Sequence, residues 1–245
     1  MIRLDAATVL LQWATGGLFF LWWTTRRHAI GAGYGWLLRG TYSVLAAGGI
    51  AAAVVTDGVI LVRETAAAGV VVVSLSTLRR TNPRWDLVAP VIGAVGVLAA
   101  AVDATNAGGD IAVSLARVAV GTVFLGAVSD AMLLGHWYLV QPGLPRSILN
   151  ELVSVMRVVA PVEIAMMLLP TGMVSVFTGA VDDGWDGTLG WFWAACAVTT
   201  VVLVEVTRVA LREKSYSAVM AATGLLYLAI LTAFGTDLVA RAVLA

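Results

Sequence analysis

Apolar runs of about 20 residues recur along the whole chain, and that is the length one helix needs to cross about 30 Å of hydrocarbon. Inside a bilayer every backbone N–H and C=O must find its partner within the protein, so runs of this length dictate helices. Eight are predicted, at residues 6–25, 36–56, 59–78, 87–105, 111–140, 148–178, 188–212 and 216–243. Their connections hold the breakers: Arg26-Arg27-His28, Asp57-Gly58, Asn82-Pro83, Gly108-Gly109-Asp110, Pro142-Gly143 and Asp182-Asp183-Gly184. Gly31, Gly33 and Gly35 are expected to make the first connection flexible. The fold class expected is therefore an all-α integral membrane protein of eight transmembrane helices.

Composition narrows the function classes. Charged residues make up 12% of the chain, about half the share found in soluble domains, so no extramembranous domain fits between the runs. Fifteen basic residues balance fifteen acidic ones, which leaves no basic field for a nucleic-acid partner. Cys196 is the single cysteine, so an internal disulfide is excluded, and there is no Cys/His cluster to hold zinc or an iron–sulfur centre.

Orientation follows from the connections. Arg26, Arg27 and Arg39, then Arg79, Arg80 and Arg84, then Arg146, then Arg212 and Lys214 collect beside alternate loops, which the positive-inside rule makes cytoplasmic. The remaining loops carry Asp57, Asp110, Asp182, Asp183 and Asp186. Both termini are then expected outside the cell membrane. Arg3, Arg63 and Arg241 run against this pattern, but each has an acidic neighbour in Asp5, Glu64 or Asp237. Trp22, Trp23, Trp36, Trp85 and Trp137 fall at the expected inner boundary and Trp185, Trp191 and Trp193 at the outer one, leaving only Trp13 off the belts. The first run is expected to be a retained helix, because its cations follow the apolar stretch instead of preceding it.

Two halves of four helices each, residues 1–107 and 108–245, predict two four-helix bundles. The first is read as a scaffold in which Gly16, Gly17, Gly48, Gly49, Gly93 and Gly96 permit close helix packing. The second holds most of the intramembrane charge. Charges inside a span face protein or water and mark function by default. Counted at 1.5 Å per residue, Asp130 and Arg157 are level, roughly 15 and 13 Å deep, and are expected to pair. His136 and Glu151 match at roughly 6 and 5 Å, and Glu205 and Arg208, three apart on one face, extend the same polar layer. Glu163 lies roughly 22 Å in, after the helix-kinking Pro161, with no cation expected at its level on the adjoining helices.

The turn His136-Trp137-Tyr138 puts a titratable ring, an indole donor and a phenol together at the membrane boundary. Such a turn can hydrogen-bond a quinone carbonyl and stack its ring. The expected site accordingly has His136, Trp137, Tyr138, Glu151, Arg157 and Arg208 around a quinone, with Asp130, Glu163 and Glu205 as proton carriers. Haem is disfavoured, since bis-His ligation would consume both His28 and His136. The function expected is a membrane subunit of a respiratory or other redox complex, in contact with the bilayer and with partner subunits. In helix count and two-bundle layout it is similar to the NrfD-type quinol subunits, although no family motif aligns residue by residue. A small proton-coupled secondary transporter and a non-catalytic structural subunit are the alternatives; Pro90, Pro161 and Pro170 are the only helix-breaking candidates for the former.

Overall fold

The computed structural model describes residues 5–56, 58–80, 82–106, 109–169 and 172–244. Among them the regular structure is helical throughout: α1 Ala6–Thr25, α2 Ala32–Val55, α3 Leu61–Ser76, α4 Val88–Thr105, α5 Ile111–Trp137, α6 Arg146–Leu168, the short α7 Val174–Phe177, α8 Thr188–Ala210 and α9 Tyr216–Val243. A 3-10 turn at Pro83–Leu87 leads into α4. Arg3, Asp57, Thr81, Pro170 and the expected boundary between residues 107 and 108 lie outside the described residues.

Three helices, α1, α5 and α9, start where a polar side chain satisfies free N–H groups of the first turn. Asp5 accepts from the Ala7 amide at 3.1 Å, Asp110 from those of Ala112 and Val113 at 2.7 and 3.2 Å, and Ser215 from that of Ala218 at 3.3 Å. Two expected boundaries are corrected. Gly33 and Gly35 belong to the first turn of α2, where the small residue at 33 lets the Trp137 ring lie against the backbone. The sixth helix stops at Leu168 instead of running to residue 178. Leu169 is extended, at φ −89° and ψ 153°, the conformation a following proline imposes on its neighbour.

Among the described residues six helices are long and apolar enough to cross a membrane: α1, α2, α4 with its leading turn, α5, α8 and α9. Of the other three, α7 has only four residues, and α3 and α6 fall short for different reasons. The 16 residues of α3 span about 24 Å, and α6 carries Arg146, Glu151, Arg157 and Glu163. An α-helical, multi-pass membrane protein follows.

Packing has a cyclic order. In the first half α1 packs on α2, α2 on α3, α3 on α4, and α4 returns to α1; in the second, α5, α6, α8 and α9 repeat the cycle. The halves meet mainly where α1 crosses α5. There a Cβ on Gly16 would overlap the Thr122 carbonyl oxygen, and one on Gly126 would fall on the Gly16 backbone. Only glycine allows that approach. Trp13, the tryptophan off the belts, is held at the same junction by a 2.9 Å bond to Ser129 Oγ and an edge-on contact with Phe234. Trp193, expected in the outer belt, is instead buried between α8 and α9, donating to the Thr236 carbonyl at 2.9 Å.

The first half is not as free of buried charge as its sequence implies. Arg39, on α2, bonds Asp86 and caps the Leu78 and Arg80 carbonyls at 3.1 and 3.2 Å, while Thr25 at the end of α1 donates to the same Asp86. Arg63, at the start of α3, bonds Asp5 at the head of α1 and its own neighbour Glu64. Both ends of α3 are thus tied to the corresponding ends of α1. Each clasp neutralises a buried cation and occupies its donors, so the pair fixes packing and leaves no free chemistry.

Candidate functional site

Two groups of buried polar side chains lie along α5, and neither contains the pairings expected from depth. The first surrounds Gly121. Arg241 on α9 donates its Nε to both oxygens of Asp237, at 3.0 and 2.9 Å, and both side chains are buried. Gln12 on α1 donates to the Val118 carbonyl at 2.9 Å, and Arg117 on α5 donates to the Met166 carbonyl at 3.0 Å. Around the point where a Cβ on Gly121 would sit, Gln12 Nε2 is at 3.2 Å, Arg241 Nη2 at 3.3 Å and Glu163 Oε1 at 3.7 Å. The absent side chain lets four helices bring these groups together. Glu163 is 0% exposed, and neither of its oxygens, nor Gln12 Oε1, has a hydrogen-bond partner among the described residues.

The second group lies nine residues further along α5, about 13 Å by helical rise. Asp130, also fully buried, accepts a hydrogen bond from Tyr42 Oη of α2, and its Oδ2 is unpartnered among the described residues. The Tyr42 ring lies in the space left by Gly17 on α1. The Tyr34 hydroxyl, two turns earlier on α2, is also buried and has no hydrogen-bond partner among the described residues. Toward the C-terminal end of α5 the Tyr34 ring meets Trp137 at 5.7 Å, and Trp137 donates to Gln141, which also bridges Gly31 and Ala29 of the first connection.

Asp130 and Arg157 do not meet. Depth fixes height on a helix but not the direction around it: Asp130 faces α2, while Arg157 faces outward and bonds Glu205 of α8. Nor does Glu151 orient His136. Glu151 pairs with Arg27 at 2.6 Å and Arg26 at 3.5 Å, and His136 Nδ1 lies 3.3 Å from the Tyr227 hydroxyl of α9. The expected neighbours Glu205 and Arg208 do pair, at 2.9 Å. His136, Trp137 and Tyr138 diverge: the first is exposed beside Tyr227, the second turns to α2, and the third is buried with its hydroxyl on the Pro145 carbonyl at 2.9 Å. An open groove of about 700 Å3 runs between Trp23 of α1 and the Ser147, Glu151, Ser154 and Val158 side of α6, and none of these three residues lines it.

No protein-family model matches the chain, and no curated protein or solved structure is similar to it. The site therefore rests on its own geometry. The sequence singles out Asp130 and Glu163 and pairs Arg241 with Asp237, but the expectation of no cation near Glu163 is corrected by Arg241 beside it at Gly121; Gln12, Tyr34 and Tyr42, not singled out, are polar interruptions in otherwise apolar helices. That interruption was the available signal.

Proposed function

We propose that the chain is a multi-pass cell-membrane protein that handles protons, with Glu163 of α6 and Asp130 of α5 as two intramembrane stations. The observation that carries this is a pair of fully buried carboxyl groups with oxygens that no donor reaches among the described residues. A carboxyl in such a site exists as the neutral acid or as a hydrated ion, and exchange between those forms is the elementary step of a relay. Asp237 and Arg241 beside Glu163, and Tyr42 beside Asp130, supply the polar partners such exchange needs. The relay suits a subunit of a redox complex. The repeated cyclic order of the halves, joined at the Gly16 and Gly126 crossing, favours as second reading a proton-coupled transporter in which the halves move against each other. A quinone site built on His136, Trp137 and Tyr138 draws no support from side chains that diverge.

Eight crossings and two four-helix bundles are part of the same proposal, with α3 and α6 spanning beside their neighbours and both termini outside. In proteoliposomes holding a trapped pH dye, an imposed proton gradient is expected to dissipate through the wild-type chain and several-fold more slowly through Glu163→Gln and Asp130→Asn. A carbodiimide, which modifies protonated carboxyls in apolar surroundings, is expected to label Glu163. Equal dissipation in all three proteins together with an unlabelled Glu163 sinks the relay.

A further inference from the structure

Glu205 holds two arginines at once. Its Oε1 accepts from Arg157 Nε on α6 and its Oε2 from Arg208 Nε on α8, the latter at 2.9 Å. Each guanidinium spends only its Nε this way, so all four Nη nitrogens are without partners among the described residues. The Arg157 side chain is 53% exposed and that of Arg208 32%. Two cations on one carboxylate leave a net charge of +1 in an open two-armed fork on the outer surface of α6 and α8. The fork differs from the buried clasps of Arg39 and Arg63, whose donors are consumed by carboxylates and carbonyls.

Its height is set by the helices. Side chains on a helix tilt toward its N-terminus, which for α6 is the cytoplasmic end, so Arg157 reaches down to meet Glu205. Glu205 lies about 8 Å from the end of α8 and Arg208 about 3 Å, the level of lipid glycerol and phosphate. On the membrane-centre side of the fork the surface changes character: Val158 is 65% exposed, Val162 40%, Val198 65% and Val202 52%. Polar donors below and bare valines above match a phosphate with acyl chains. We infer that the Arg157–Glu205–Arg208 fork binds the phosphate of an anionic membrane lipid, whose chains lie along the valines of α6 and α8. Guanidinium groups pair with phosphate through parallel N–H donors, and unpartnered Nη pairs are what that geometry requires. A second copy of this chain fits less well, because a two-fold contact would set two net-positive forks against each other.

The inference rests on the proposed embedding in a bilayer and is independent of the proton relay. The test uses the full chain in nanodiscs of phosphatidylcholine containing a titrated share of phosphatidylglycerol, with lipid retained after extraction measured by mass spectrometry. The wild-type chain is expected to retain phosphatidylglycerol in preference to phosphatidylcholine. Arg157→Gln with Arg208→Gln should lower that preference by about tenfold, the scale of a lost charge-assisted bond. Arg84→Gln, an exposed cation of another connection, should leave it unchanged. Should the double glutamine variant fail to fold, Arg157→Lys with Arg208→Lys keeps the charge and removes the fork, and the preference should still fall. Equal retention of the two lipids by the wild type, or full preference in the folded variants, overturns the proposal. Inorganic phosphate that displaces the lipid at equal concentration overturns the assignment to lipid, as does a copurifying protein cross-linked to cysteine placed at Asn150. Failure to enter nanodiscs of either composition would instead refute the embedding.

Discussion

At Tyr42 a single hydroxyl supports the inner carboxyl, because among the described residues Asp130 accepts a hydrogen bond from no other donor. Tyr42→Phe is expected to cost about 1–3 kcal/mol, the usual consequence of orphaning a buried polar group, measured by denaturation in detergent. Asp130→Asn combined with Tyr42→Phe should cost less than the sum of the two, since each removes the same bond. Asp130→Asn combined with Arg157→Gln should be additive, because Arg157 bonds Glu205 on another face of the assembly. At this scale the sequence was legible in part. The residues that must be buried and polar, Asp130 and Glu163, stand out because a charge in an apolar run is costly. Their partners did not stand out, because depth ranks residues by height alone, whereas Asp130 turns to Tyr42 of α2 and Arg157 to Glu205 of α8.

Among the elements, α8 has the most distinctive beginning. Gly187 takes a left-handed conformation at φ 80°, and the Asp183 side chain folds back over the helix start. It accepts from the amides of Gly187, Trp185, Leu189 and Gly190 at 2.8, 2.9, 2.9 and 3.4 Å. Desolvation pushes this carboxyl up, and the four backbone N–H groups more than reverse it, holding Asp183 below its ordinary value. A depressed folded value contributes stability above the unfolded carboxylate range and loses it as pH falls through the folded value. Acidification through and below that range should therefore lower the Tm of the wild type more than that of Asp183→Asn, which keeps an acceptor but cannot titrate. Parallel Tm curves would remove the cap from the account. The aspartates of this loop were legible as a polar connection, but nothing in their spacing distinguished the one that caps. The α1 and α5 crossing makes a harder demand. Gly126→Leu must displace the Gly16 backbone and is expected to cost at least about 3 kcal/mol, read as loss of folded protein on size exclusion, whereas Gly143→Leu, with open space around it, should be tolerated.

For the whole molecule the proposed eight crossings turn on α3 and α6, the one short and the other charged. Contacts at both ends of each argue that they do. At the N-terminal end of α6, Arg146 donates to the Glu213 carbonyl just beyond α8 at 2.8 Å; near its other end the Met166 carbonyl accepts from Arg117, six residues into α5. α6 is therefore level with α8 at its start and with the far end of α5 at its finish. α3 is tied in the same manner, by Arg63 to Asp5 at the head of α1, and by the Leu78 carbonyl to Arg39, whose partner Asp86 also bonds Thr25 at the foot of α1. The two counts make opposite predictions. With eight crossings, the connection before α6 and the one before α8 face opposite sides; with only six, both face the same side, and Arg146 would share it with Asp182 and Asp183 against the charge bias. In a Cys196→Ala background, cysteine at Asp183 should react with an impermeant maleimide on intact cells, while cysteine at Ser147, an exposed position, should react only after the cells are opened. Labelling of both on intact cells would reduce the count to six, and labelling of Ser147 alone would invert the protein in its membrane.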